Sequence, residues 1–297
     1  MNPSVKEFLT SGGFTFRENE NMARHTTFKI GGNADLFVEA DSDDKATSLT
    51  RFCKQNNIPL TVLGKGSNVL ISDDGIRGIV MSITKNDISV EGNKIRCGAG
   101  ASLTALCNTA LSFSLSGLEF AYGIPGSVGG AVLMNAGAYG GEIRDVIISA
   151  EYIGKDGEIH TVTAEDMALG YRESVFKKEG YIILSAEFML KAGNADDIKA
   201  KMQDLMGRRR DKQPLEYPSA GSAFKRPEGY FAGALIEKNG LKGYRIGGAE
   251  VSVKHAGFVI NKENATALDV QCLIKHIQKT VYENDGVMLE PEVITLN

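Results

Sequence analysis

Residues 122–141, YGIPGSVGGAVLMNAGAYGG, hold seven glycines in twenty positions and no charged side chain. Glycine loses more backbone freedom on folding than any other residue. Such a cluster therefore persists where something approaches the backbone closely or where several residues need positive φ. A flexible linker would be rich in Ser, Lys, Glu and Pro and poor in Ile, Val, Leu and Met. Here Ile124, Val128, Ala131, Val132, Leu133 and Met134 interleave with the glycines, which describes an ordered, buried segment. The rest of the chain has to explain what this backbone receives.

At 297 residues the chain can build two domains or one large one. A net charge of −4 argues against a general nucleic-acid binder, which needs a basic excess. Cys53, Cys97, Cys107 and Cys272 show no CxxC pair and no His at metal spacing, so neither a zinc site nor a disulfide framework is expected. The opening MNPSVKEFLTSGG lacks the apolar core of a signal peptide, and no run of about 18 apolar residues marks a membrane span. The expectation is a soluble, cytoplasmic, monomeric globular protein with reduced thiols.

Along the chain, residues 3–11 read as a short amphipathic helix stopped by Gly12-Gly13. After the Gly31-Gly32 turn, an alternating strand runs from about Asp35 to Ala40. A helix capped by Asp41 or Ser42 then runs to about Asn56, with Ala46, Leu49, Phe52 and Cys53 on one face. A short apolar strand leads into a glycine turn at 64–68, another strand follows Gly75, and 88–98 make a hairpin turning at Gly92-Asn93. KIRCGAGASLTALC imitates a dinucleotide fingerprint. Leu103 stands where the third glycine belongs and the strand alternates, so 102–115 read as a capped structural helix. Strands are expected at 146–153, 158–163 and 181–190, and a basic helix ending in Arg208-Arg209-Arg210 follows the boundary at 193–197. A loop-rich stretch from 213, a helix near 231–238, a strand at 257–261, a helix at 266–283 and a strand-like tail complete the chain. Strands and helices alternate without the period of a parallel βαβ array, which favours an α+β arrangement.

The two glycine loops at 64–68 and 123–130 could hold a pyrophosphate from two sides, because backbone amides supply donors without bulk. The alternative is that both are merely tight turns. Arg172 in Tyr171-Arg172-Glu173-Ser174 is either a solvated charge or a planar fork suited to a carboxylate. Ser222, without a GxSxG elbow, is either a turn residue or a working hydroxyl. Glu290 and Glu292 straddle Pro291 and share one face of an extended tail. Arg208, Arg209, Arg210, Lys212, Lys225 and Arg226 flank the 213–224 loop, either as solvated charges or as receivers of an anionic substrate. His25, His160, His255 and His276 are scattered without triad or ligand partners.

Seven words in order resemble the UDP-N-acetylenolpyruvoylglucosamine reductase (MurB) family: HTTFKIGGNAD (25–35), LGKGSNVLISD (63–73), GLEFAYGIPGSVGGAVLMNAGAYGGEI (117–143), YRESVFK (171–177), PSAGSAFKRP (218–227), VSVKHAGFVIN (251–261) and LEPEV (289–293). Together they cover nearly the whole chain. The short connection between Tyr181 and Arg208 resembles the compact form, which lacks an extra substrate-capping loop and its tyrosine. The resemblance implies an N-terminal helical segment (1–25) and an FAD-binding domain of the vanillyl-alcohol-oxidase type (26–193, two α+β subdomains). A smaller α+β substrate-binding domain (194–297) would follow, with 287–297 a candidate to return to the FAD domain. It implies non-covalent FAD, with NADPH as co-substrate, reducing UDP-N-acetylglucosamine enolpyruvate. FAD would lie on Gly64, Lys65, Gly66, Ser67 and Asn68, and on Gly123, Ile124, Pro125, Gly126, Ser127, Gly129, Gly130, Asn135, Gly137, Ala138 and Tyr139. The catalytic set would be Ser222 as proton donor with Arg172 and Glu292; Tyr171, Lys212, Lys225, His255 and Asn261 would serve substrate. Two other classes compete: an FAD oxidase on the same fold, with flavin tethered covalently, and a non-catalytic nucleotide-binding module.

Overall fold

The computed structural model describes residues 3–297. In chain order the elements are α1 (Pro3–Ser11), β1 (Thr15–Asn21), β2 (Asn33–Ala40), α2 (Asp43–Gln55), β3 (Leu60–Leu63), β4 (Val69–Ile71), β5 (Ile76–Ile83), β6 (Ile88–Glu91), β7 (Lys94–Gly98), α3 (Leu103–Ser112) and β8 (Leu115–Ser116). Then come α4 (Val128–Leu133), β9 (Gly137–Ala138), β10 (Gly141–Glu142), β11 (Ile147–Ile153), β12 (Ile159–Thr163), α5 (Val175–Glu179), β13 (Ile182–Met189), β14 (Lys191–Ala192) and α6 (Ala195–Lys212). The C-terminal part holds β15 (Ser219–Ser222), α7 (Ala232–Lys238), β16 (Arg245–Ile246), β17 (Ala249–Val251), β18 (Phe258–Asn261), α8 (Ala267–Asp285) and β19 (Ile294–Leu296). No helix among the described residues is long and apolar enough to cross a membrane.

Local signals explain several of these elements. Ser42 caps α2 by accepting from the Lys45 amide at 3.3 Å, and Ala46, Leu49 and Cys53 fall on its buried face. α8 opens on a capping box in which Thr266 and Asp269 satisfy each other's orphan amides, and it ends at Gly286 with φ 69°. Asp73 adds a second cap, its carboxylate accepting from the Ala267 and Leu268 amides at 2.8 and 3.0 Å. A carboxylate at a helix start contributes about 0.3–1 kcal/mol. The aspartate of LGKGSNVLISD is thus explained by α8.

The chain forms two compact units. The first comprises residues up to Arg17, Phe37–Gly64 and Gly78–Arg209; the second comprises Glu18–Leu36, Lys65–Arg77 and Arg210–Asn297. The first contains an antiparallel sheet ordered β12-β11-β13-β7-β6, with α3 and α4 supplying Leu103, Leu106, Val128 and Val132 to its core. Within it β3 runs parallel to β5, Leu60 opposite Ile79 and Leu63 opposite Ser82. The second contains the sheet β15-β18-β17-β16, covered by α7 and α8 through Leu235, Ile236, Leu273 and Ile277.

This division differs from the expected one. The boundary falls between Arg209 and Arg210 rather than at 193–194, because Ile198 and Met202 of α6 are buried in the first core. Phe28, Ile30 and Leu70 are buried in the second core, so two early segments join the C-terminal unit. The tail strand β19 pairs in parallel with β4, Ile294 opposite Val69, and β4 itself lies in that second unit. Nor is 1–25 one helical segment among its described residues, since 15–21 form β1.

The thiols give a direct check on the cores. Burial pushes Cys53 up to about 11 and Cys97 and Cys107 up to about 12, while Cys272 is half-buried on α8. With a thiol-specific disulfide reagent at pH 8, one thiol should react quickly in the native protein and the other three only on unfolding, because the thiolate is the nucleophile. Fast reaction of all four would contradict the packing.

Candidate functional site

The first glycine loop leaves β3 at Leu63. A Cβ placed on Gly64 would stand 2.6 Å from the Ser127 Oγ, so the backbone of one glycine loop lies directly against the other. Ser127 is buried and caps α4, its Oγ accepting from the Gly130 amide at 3.3 Å. The hydroxyl proton stays available for an acceptor placed at the junction. The second loop is pinned from below: Leu103 N donates to Gly126 O at 3.0 Å, Val128 N to Ala101 O at 2.8 Å and Gly129 N to Ala99 O at 2.9 Å.

Within the second unit, Gly66 takes φ +60°, and a Cβ there would sit 2.1 Å from the His25 carbonyl oxygen. Only glycine fits. Thr27 N donates to Gly66 O at 3.1 Å, Asn68 Nδ2 donates to Glu292 O at 3.2 Å, and Ile294 N donates to Asn68 O at 3.0 Å. Those bonds fix the course of Lys65–Asn68.

Gly123 has φ +89°, and its missing side chain leaves room for α6: an added Cβ would lie 2.7 Å from Met206 Sδ and 3.6 Å from Arg209 Cδ. Arg208 pairs with Asp204 at 2.8 Å on an exposed face, and Arg210 is 75% exposed. Arg209 differs from both. Burial lowers its pKa, against an opposing effect of Tyr139. Tyr139 itself, φ 55°, is exposed between β9 and β10. Asn135, expected among the FAD-binding residues, is 1% exposed and its side chain bonds inside the protein instead, donating to Glu142 Oε2 and Gly170 O and accepting from Arg144 N.

Arg172 stands at the tip of a tight turn closed by Gly170 and Glu173, whose amides and carbonyls bond reciprocally at 3.1 and 3.3 Å. Its φ is +61°, rare for a residue with a side chain, and its guanidinium lies 5.3 Å from the centroid of the exposed Tyr171 ring.

Ser222 ends β15 opposite Phe258, after an irregularity between Ser219 and Ser222 in which Gly221 has φ +77°. Such a bulge re-aims the following side chain. Immediately after it, 223–225 pair with 290–292: Glu292 N donates to Ala223 O at 2.9 Å and Lys225 N to Glu290 O at 2.8 Å, around an antiparallel Phe224–Pro291 bridge. Ser222 and Glu292 are thereby brought onto neighbouring extended segments of one unit. The two tail glutamates are also distinguished. Glu290 is mostly exposed and meets Lys225 Nζ at 3.0 Å, whereas Glu292 is half-buried.

Other expected substrate residues have local work. Asn261 donates to Phe28 O at 3.2 Å and accepts from Ala265 N at 2.9 Å. His255 Nδ1 accepts from Gly257 N at 3.1 Å, its ring lies edge-on to Phe258, and burial lowers its pKa, so it is neutral at pH 7. Lys212 is exposed at the end of α6.

Two family models match the chain: an FAD binding domain over residues 34–163, and the C-terminal domain of UDP-N-acetylenolpyruvoylglucosamine reductase over residues 213–296. The reductase of that name from Clostridium novyi is 54% identical over 93% of this chain and 91% of its own length. The chain belongs to the UDP-N-acetylenolpyruvoylglucosamine reductase family. The Staphylococcus carnosus reductase is 50% identical, covering 93% of this chain and 90% of that one. The crystal structure of the Thermus caldophilus reductase superposes with a TM-score of 0.82 at 33% identity, covering 96% of this chain and 99% of that one.

Alkyldihydroxyacetonephosphate synthase, 18% identical with a TM-score of 0.50 over 65% of this chain and 41% of its own, shares the fold alone. The α+β expectation, with an FAD-binding domain, stands. Toward FAD the residues present offer the Ser127 hydroxyl at the junction of the two loops, while the space beside Gly64 and Gly123 is already taken by Ser127 Oγ and by Met206 Sδ.

Proposed function

We propose that this chain performs the family reaction, FAD-dependent reduction of the enolpyruvyl group of UDP-N-acetylglucosamine enolpyruvate to UDP-N-acetylmuramate in peptidoglycan precursor synthesis, with NADPH as the reductant. Bound FAD would supply the hydride, taken from NADPH and passed to the enol-ether carbon distal to oxygen. The pyrophosphate of FAD would rest on amides of Gly64–Asn68 and on those of Gly123, Gly126 and Ser127, which need no bulky side chain to reach it. Pro125 carries no N–H, and the Ile124 amide donates to Ala121 O at 3.0 Å.

Ser222 Oγ would give the proton to the carbon next to the carboxylate. A serine hydroxyl is a weak acid in water, but a developing carbanion or enol is a far stronger base, so donation is feasible where the alkoxide is sheltered. Arg172 would grip the substrate carboxylate with its planar fork, and together with Glu292 would polarise that carboxylate and stabilise the enolic intermediate electrostatically. Lys212 and Lys225 would serve a diphosphate, of substrate or of NADPH, as point charges. The observation that carries this reading is the pairing of 223–225 with 290–292, which sets Ser222 beside Glu292 and leaves Glu290 on Lys225.

The visible spectrum tests it first. Purified protein should show the two absorption bands of oxidised flavin, release the flavin on denaturation, and bleach with NADPH. Colour should return on adding UDP-N-acetylglucosamine enolpyruvate. Protein that binds no flavin even when FAD is added would sink the reading; flavin that stays with the denatured chain would favour an oxidase.

A further inference from the structure

We propose that Asn135, together with Ser174, is a positioning residue for Arg172, coupling the glycine stretch to the turn that carries the guanidinium. The proposal rests on the carboxylate-binding role given to Arg172 above. α4 ends at Leu133, and Asn135 follows at φ +40° with its amide donating to Val132 O at 3.1 Å. From there Asn135 Nδ2 donates to Gly170 O at 3.0 Å, on the residue that opens the Arg172 turn. On the far side of the turn, Ser174 Oγ donates to Leu133 O at 2.7 Å and accepts from Lys177 N at 3.2 Å, capping α5. The turn is thus tied before and after its tip to the same three-residue segment, 133–135. Lys177 Nζ adds a bond to Arg172 O itself at 3.0 Å.

Asn135 and Ser174 are 1% and 4% exposed, so neither side chain is open to a ligand, and both act through what they hold. A left-handed conformation at a residue with a side chain persists only where its surroundings over-determine it, and such residues gather at functional sites. Buried polar groups whose bonds are all made give that rigidity. A bidentate fork needs it, because its gain depends on placement to a fraction of an ångström. The glycine stretch would then serve both halves of the chemistry, receiving cofactor on its loop and fixing Arg172 from its C-terminal end.

The test uses the holoenzyme of Asn135→Gly, which keeps the positive φ, and of Ser174→Ala. Each is reduced with stoichiometric dithionite and mixed with UDP-N-acetylglucosamine enolpyruvate, and flavin reoxidation is followed. Both variants should retain FAD with an unchanged spectrum, while reoxidation slows by about 10- to 100-fold, the scale of an ångström-sized misplacement. Adding either change to Arg172→Lys should slow it by less than about threefold more, because the same function is already lost. Loss of FAD, or of folding, in both variants would place these bonds in the cofactor cradle or the fold and overturn the proposal, as would full additivity with Arg172→Lys. If Arg172→Lys alone reoxidises at the parent rate, the reading of Arg172 itself fails, an outcome visible without either new variant.

Discussion

Ser222→Ala should retain FAD and be reduced by NADPH at the parent rate, yet reoxidise with substrate about 10²–10⁴-fold more slowly, the usual contribution of one general acid. That factor corresponds to about 3–5 kcal/mol of lost transition-state stabilisation. The variant should fold, because Ser222 is half-buried at the end of β15 and what ties that strand down is backbone: the Phe258 pairing and the 2.8 Å bond from Ala223 N to Gly257 O. Rapid-mixing absorbance in the flavin bands separates the two half-reactions. If both slow equally, Ser222 is a structural or binding residue; if neither slows, the proton comes from elsewhere.

How much of this was legible depends on how local each cause is. The α2 cap, the turn at Gly92-Asn93 and the extent of α8 rest on neighbours a few residues apart, and they lie where the sequence places them. The helix inside the glycine stretch is invisible to propensity, since Gly129 and Gly130 disfavour it. The Ser127 cap and the bonds to Ala99 and Ala101 impose it. The fingerprint-like Gly98 and Gly100 have a packing cause, because a Cβ on either would lie within 2.6 Å of the Lys85 or Ile83 carbonyl oxygen.

The composition of the second unit was the largest surprise. HTTFKIGG reads as an ordinary turn and strand start. It joins the C-terminal core through Phe28 and Ile30 and through a 2.7 Å bond from Thr27 Oγ1 to Ser219 O, a partner 192 residues away. No periodicity reports a contact of that range. In Arg208-Arg209-Arg210, three identical side chains point about 100° apart on one helix, and charge alone cannot say which turns inward. The glycine cluster announced that the backbone is approached closely. It did not announce that one approaching group is α6, at Gly123, and another its own Ser127, at Gly64.

Arg172→Lys is the second large effect expected. Turnover should fall about 10²–10³-fold, on the scale of removing one preorganised donor from a developing anion, while FAD content and flavin reduction stay at parent values. Lysine keeps the charge and meets the same backbone demand as arginine at φ +61°, so the substitution changes recognition without a new steric cost to the turn. What it removes is the fork. One ammonium cannot hold both oxygens of a carboxylate in a fixed plane, and it would change the cation–π approach to Tyr171, where the guanidinium carbon lies 5.3 Å from the ring centroid. A solvated charge would behave differently, since Lys would then substitute for Arg with turnover unchanged. The decisive comparison is therefore between KM and kcat. A rise in KM alone would make Arg172 a uniform binder of the carboxylate, whereas a fall in kcat and kcat/KM together would assign it to the enolic transition state.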